Sequence, residues 1–412
     1  MDAAPVRMIF LITFPLEQQI RDIYLKYSQQ TIKYEKQIEE NDISDINRGL
    51  LARSIFSRNT GRIITLSANE DAAAGYKCTN KKPIYPLFVT VNNLPPKLRF
   101  DQNNLILASL WFNKGKPNMA LFHKKFVLEL QRLHNGMQIE AQTYKIVLLQ
   151  CCLDSIGRCE LFCSKQFNGR YGCTICMHPG KLVCKQMKYP YQRAKLREDV
   201  TTRRLMIQVE EFETREPRFG IKGLSVLVGL PEFDIIKGLP VDYTHMALLG
   251  ITRTIWEILV ENSSGNIQRL RNTSIVKKTI GDRFTSMRLP SSFSRRMRKP
   301  DEYLKFKASE WETILLHCIY PCLADLLPAT YMNNVMMFAT VVFLLLELNI
   351  SRSTLLKCQK LMDQFVEDFE KLYGESFMLY NVHLSGHLVQ NGRNLGALRN
   401  SLSSRMKTET VC

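Results

Sequence analysis

Four residues carry the sharpest chemistry in this 412-residue chain. Cys173 and Cys176 are separated by two residues, a spacing that lets a tight turn aim both sulfurs at one point and offer two thiolates to a zinc ion. His383 and His387 stand four apart, which on a helix places both imidazoles on one face. Together they make a tetrahedral Cys2His2 set, split between distant parts of the chain and closed only by the fold. The plain alternative is a redox-idle cysteine pair and two packed histidines. His178 and Cys184 are nearby spare ligands, whereas Cys151, Cys152, Cys159 and Cys163 read as small buried hydrophobes.

Two acids end strand-like runs. Asp71 closes "RIITLSANED" (62–71) and Asp154 closes the wholly apolar "YKIVLLQCCLD" (144–154). Acids in such places are often only solvated turn residues. Paired across two adjacent strands, however, carboxylates can hold divalent metals for phosphoryl transfer. Asp242 and His245 form an Asp-x-x-His motif at a helix start, where Asp242 would act as an N-cap with His245 satisfied against it. The densest basic run is "SSFSRRMRKP" (291–300), with Arg295, Arg296, Arg298 and Lys299, and Arg269, Arg271, Lys277 and Lys278 lie close to it in sequence. It could contact phosphate or serve as a nuclear import signal; a solvated basic loop is the commoner outcome.

The elements that must position these residues follow from periodicity. Residues 17–55 are helical and charged. Strand-like runs cover 62–71, 83–91 and 105–112, and an amphipathic helix follows over 118–137. The run at 144–154 should be a central parallel strand covered on both faces. In a ribonuclease H-like sheet, the first and fourth strands of such an order lie side by side, so Asp71 and Asp154 would meet. Beyond residue 190 the pattern is mostly helical, over 241–260, 310–327, 335–348 and 355–374, the last with a stop at Gly374.

Apolar content of 45% and charged content of 23% call for a packed interior. Twelve cysteines, irregularly spaced in a long chain without a signal peptide, do not form a secreted disulfide framework. The longest apolar run, 335–346, falls short of the ~20 residues that span a bilayer, so no membrane partner is expected and a soluble, reducing, intracellular setting is. A net charge of +17 favours polyanions, chiefly nucleic acid.

Several phrases resemble the CACTA-type (En/Spm-like, CMC superfamily) DDE DNA transposases. "FNGRYGCTICMHPG" (167–180) resembles the family's cysteine knuckle, and "KGLSVLVGLPEFDIIKGLPVDYTHMALLG" (222–250) resembles its K-G-x-S-x-L, F-D and D-Y-x-H signature. "LPPKLRF" (94–100), "KPNMALF" (116–122), "PSSFSRRMRKP" (290–300) and "YGESFMLYNVHLSGHL" (373–388) follow in the family's order. The similarity runs from about Phe14 to about Leu398. It implies an α/β + α fold: a ribonuclease H-like core interrupted by a large, mostly helical insertion. The implied layout is a helical segment at 1–55, a first sheet part at 56–160, a zinc-knuckle-like segment at 161–190, the insertion at 191–372 and a closing helix with a degenerate tail at 373–412. The sequence starts where the family core starts, so no terminal-repeat-binding domain is expected ahead of it.

The resemblance also implies a catalytic site, with Asp71 and Asp154 as its first two carboxylates around Mg or Mn. It places structural Zn on Cys173, Cys176, His383 and His387, and gives Asp242 and His245 an architectural role. DNA is the expected partner, a homo-oligomer a further one, and the nucleus the expected location. The chain departs from the family in three places. Ala72, not glycine, follows Asp71. "CLDSIGRC" replaces Cys-Asp-Ala-Pro-Ala-Arg around Asp154. The family's Phe-Glu-Asn phrase has no counterpart, Lys407 standing where its glutamate belongs. These departures predict a catalytically defective, transposase-derived DNA-binding protein. The alternative is an active Mg-dependent nuclease or strand transferase completed by Glu409, Asp363 or Glu367.

Overall fold

The computed structural model of the chain describes residues 10–37, 43, 45–70, 73–74, 83–113, 115–212, 217–261, 273–290, 293, 297–347 and 349–401. Its strands are β1 (Phe10–Thr13), β2 (Arg62–Glu70), β3 (Ala73–Ala74), β4 (Pro83–Val91), β5 (Ile106–Phe112), β6 (Met137–Ile139), β7 (Gln142–Cys152), β8 (Lys181–Val183) and β9 (Gln186–Lys188). Seven form one mixed sheet in the order β1-β5-β4-β2-β7-β6, with β3 on β4; β8 and β9 form a separate hairpin.

β2 and β7 lie at the centre of the sheet and run parallel, from Arg62 opposite Tyr144 to Asn69 opposite Cys152. Their sequences explain the position: eight successive residues of β2 and the last seven of β7 are buried, as a strand covered on both faces requires. A bulge between Leu66 and Ser67 sets Leu149 of β7 outside the pairing. One face of the sheet carries the Met119–His134 helix, whose Phe122, Phe126, Leu130 and Leu133 join Ile64, Leu66 and Leu148 in a common core. Asn118 caps this helix through Leu121 N at 3.0 Å, and Gly136, at φ 134°, takes the chain out of it. On the other face, Ala52 and Ile55 from the Leu50–Arg58 helix and Leu395 from the Leu388–Leu395 helix cover Ile63, Val147 and Leu149.

Neither edge strand of the large sheet has a sequence signal. β1 pairs as an edge with β5, but four residues are too few for a period to register. β6 turns tightly into β7, Ile139 opposite Gln142. Glu140 adopts φ 53° there, so the positive φ such turns need is met without the usual Asn-Gly. Among its described residues the 1–55 segment is therefore helical after an edge strand.

The helical body has its own core, built around Trp256, Trp311, Phe338, Phe365 and Phe369. The 241–260 pattern becomes a mixed helix, π-type over Thr244–Thr252 and Glu257–Glu261 with an α segment, Arg253–Trp256, between. Ala329–Leu346 packs against Arg352–Tyr373, where Phe338 and Phe365 stack at 4.9 Å and Asn334 Nδ2 donates to Phe365 O at 3.0 Å. Among the described residues Ala329–Leu346 is the one helix long and apolar enough to cross a membrane, yet Val335, Phe338, Val342 and Leu345 are buried against neighbours.

Arg99 explains why "LPPKLRF" matters locally. It is 1% exposed, pairs with Asp45 at 2.8 Å and donates to Leu94 O at 2.9 Å. Tyr34 donates to the same carboxylate at 2.6 Å. The β4–β5 connection is thereby tied to the N-terminal helices.

Candidate metal centre

The fold brings Cys173, Cys176, His383 and His387 together, their ligating atoms all within 4.8 Å of one another. Cys173 Sγ lies 3.7 Å from His387 Nε2 and Cys176 Sγ 3.4 Å from His383 Nε2. A tetrahedral ion with metal–sulfur bonds of ~2.3 Å and metal–nitrogen bonds of ~2.0–2.1 Å sets sulfur and nitrogen about 3.5 Å apart. The donor set and spacing fit a metal ion.

The cysteine turn is held from behind. Ile175 N donates to Cys173 Sγ at 3.4 Å, and the buried Arg197 donates through Nε to Cys173 O at 2.9 Å. Gly172 has no room for a side chain, since a Cβ there would stand 2.3 Å from Gln166 O. Tyr380 donates to Gly172 O at 3.4 Å and receives Arg158 Nη2 at 3.2 Å. Arg158 is thus a buried strut reaching from the helix after β7 to the histidine segment.

The histidines do not share one uninterrupted helix. His383 sits in Tyr380–Ser385, and His387 precedes Leu388–Leu395. Gly386 and His387 tighten the turn, with His387 N donating to Leu384 O at 3.0 Å, but both keep near-helical angles. The rings consequently stay on one side, 5.0 Å apart. Tyr189 stacks on His383 at 5.1 Å.

Electrostatics suit ligation. Burial opposes the Cys173 thiolate, but the Cys176 hydrogen bond and the nearby His383 and His387 hold this thiol well below its usual range. Cys176 is pushed up, chiefly by giving that hydrogen bond and then by burial. Burial pushes His383 down, favouring the neutral imidazole that a metal requires.

His178, a spare ligand by sequence, has both nitrogens occupied: Nε2 donates to Pro190 O at 2.9 Å, and Nδ1 accepts from Gly180 N at 3.0 Å. Cys184 is exposed beside β8 and β9 and lies outside the cluster. Cys151, Cys152 and Cys159 are buried, while Cys163 is only half-buried.

Asp71 lies outside the described residues, as do Arg295, Arg296, Lys407 and Glu409. At the adjoining ends of β2 and β7, Glu70, Asp154 and Glu160 line one small cavity of about 60 Å³ with Tyr85 and Lys116. Asp154 also caps the Ser155–Leu161 helix, accepting from Gly157 N at 2.6 Å. Glu70 is buried, with Oε2 3.4 Å from Nε2 of the fully buried His123. Tyr85 is pushed up by burial first and then by Glu70, Asp154 and Glu160. No pattern selects Glu70, because alternation along a strand sends neighbouring side chains to opposite sides and only the position of β4 and β7 decides between them. Nor does any spacing or motif single out His123, in the helix after β5, or Glu160, in the helix after β7.

Asp363 and Glu367 do not stand in that cavity. Asp363 accepts from Gln359 at 2.8 Å and lines a different cleft, the one containing His383 and His387. Glu367 pairs with Lys371 at 2.7 Å. Asp242 caps as its position suggests, accepting from Thr244 N at 2.9 Å, and its other oxygen meets His245 Nδ1. Arg298 is committed to the fold, with Nε 3.0 Å from the buried Glu310; Lys299 is exposed.

No protein-family model matches the chain, and no curated protein matches it.

Proposed function

We propose that the chain is a transposase-derived DNA-binding protein with a ribonuclease H-like core, a structural zinc on Cys173, Cys176, His383 and His387, and a defective cleavage site. The observation that carries this is the order strand, antiparallel strand, antiparallel strand, helix, strand, with the last strand, β7, parallel to β2. It delivers the carboxyl ends of β2 and β7, with Glu70 and Asp154, to one cavity, where a ribonuclease H-like nuclease keeps its metals. The CACTA-like phrases and the charge of +17 point to DNA as the polyanion. Two features favour inactivity: one carboxylate oxygen of Asp154 is engaged in a helix cap, and Lys116 is among the residues lining the cavity, a basic residue where metals need anions.

A second function is favoured by Glu160. With Glu70 and Asp154 it makes three carboxylates around the cavity, the number an active Mg-dependent nuclease or strand transferase uses. The two separate on one assay: labelled duplex and nicked DNA incubated with the purified chain and Mg²⁺ or Mn²⁺. No cleavage or joining, with duplex still retained, is the expected result. Cleavage lost in both Asp154→Asn and Glu160→Gln would establish the active alternative.

A further inference from the structure

Cys176, His383 and His387 line an open cleft of about 350 Å³, whose walls include Tyr191, Arg193, Ala194 and Asp363. Cys173 does not line it; this sulfur lies behind, fully buried and fastened by Ile175 N and the Arg197–Cys173 O bond. A four-ligand structural site is normally closed, and here three of the four ligands border an open cleft. The cleft's volume corresponds to about ten waters at ~30 Å³ each, enough for a small organic ligand.

We infer that this cleft is a binding route for small nitrogen- and oxygen-donor ligands of the free-histidine type, which reach the metal directly and exchange it while the protein stays folded. The inference rests on the metal reading above. Its consequence is regulatory: the tie between the cysteine turn and the histidine segment becomes responsive to free zinc and its small ligands. Other bonds keep the segments in register meanwhile, Tyr189 N to Met378 O at 2.8 Å, Tyr191 N to Glu370 at 2.6 Å and Lys181 to Glu375 at 2.6 Å, so exchange need not pass through unfolding.

Ala194 is the place to close the route, being a small half-buried wall residue outside the ligand set. The experiment follows zinc transfer from the full chain to a small coloured N,O-chelator over a range of chelator concentrations, with and without free histidine. Ligand-assisted exchange predicts a rate proportional to chelator concentration and accelerated by histidine. Ala194→Trp should slow it by about tenfold, the effect of a barrier raised by ~1.4 kcal/mol, while keeping one equivalent of metal. Gln390→Trp, from another wall of the cleft, provides the same test should Ala194→Trp not fold. A rate independent of chelator concentration, or one that neither variant changes, overturns the inference and leaves the metal site intact. A chain that binds no zinc at all defeats the metal reading itself.

Discussion

At the scale of single residues, two thiols and two imidazoles cost stability when gathered without a metal, because their hydrogen bonds replace only part of the hydration they lose. Metal binding at this cluster should therefore be coupled to folding. With free zinc at about a thousand times Kd, the metal should add about 4 kcal/mol to unfolding, read as the difference between urea titrations with zinc and with excess chelator. In Cys173→Ser/Cys176→Ser the two curves should coincide. This part of the site was legible because Cys-x-x-Cys and His-x-x-x-His are each local patterns; that they meet was not a property of either. The Glu70–His123 contact had no such pattern, being made by a strand and a helix that only the sheet brings together. It carries its own pH prediction. Burial pushes His123 down to about 4 from the ordinary 6.5, although its hydrogen bond with Met119 O pulls the other way. Between those values the unfolded chain binds the extra proton, so stability is full above about 6.5, falls as pH drops through the window and levels off near 4. The loss should reach at most about 3 kcal/mol. Urea titrations at pH 7 and 5 should show the slope in the parent chain and a shallower one in His123→Gln.

At the scale of elements, β2, β4, β5, the helix after them and β7 could be read from β-branched runs and a 3.6-residue period, because each buries a long apolar face. β1 and β6 could not, since three or four residues carry no period and their pairing comes from neighbours. The break between His383 and His387 was equally hidden, lying in a glycine that leaves the backbone nearly helical. Where elements meet by backbone alone, sequence is silent and the structure gives sharp predictions. A Cβ on Gly49 would lie 2.2 Å from Asn394 O, where the Leu50–Arg58 helix starts against the end of Leu388–Leu395, whereas a Cβ on Gly61 meets nothing within 4 Å. Gly49→Ala should cost about 1–3 kcal/mol by thermal or urea unfolding, and Gly61→Ala should leave stability unchanged. Arg99→Met should cost more, about 3–5 kcal/mol, because it leaves Asp45 buried without its cation. Adding Asp45→Asn should recover part of that loss, which distinguishes the ion pair from simple packing.

At the scale of the whole molecule, the sheet and the helical body have separate apolar cores, and the Cys/His cluster belongs to the seam between segments far apart in the chain. The positive surplus is likewise a property of the whole: no single basic run accounts for +17. Binding to DNA through such a surface should be dominated by counterion release. If six to ten phosphates are neutralised, duplex affinity should fall by about 10³–10⁵ between roughly 50 and 200 mM salt, measured by fluorescence anisotropy. Within that field, neighbouring basic residues should behave differently. Lys299 is exposed, so Lys299→Glu should weaken binding at low salt and lower the slope of log K against log salt by about one, with no loss of stability. Arg298 is held by the buried Glu310, so Arg298→Ala should act mainly through the fold, lowering the unfolding midpoint as Glu310 is left without its partner. Asp154→Asn should change neither affinity nor slope if the cationic surface carries the binding, since it removes no cation. An affinity insensitive to salt would remove DNA as the partner, whatever the state of the cavity at the ends of β2 and β7.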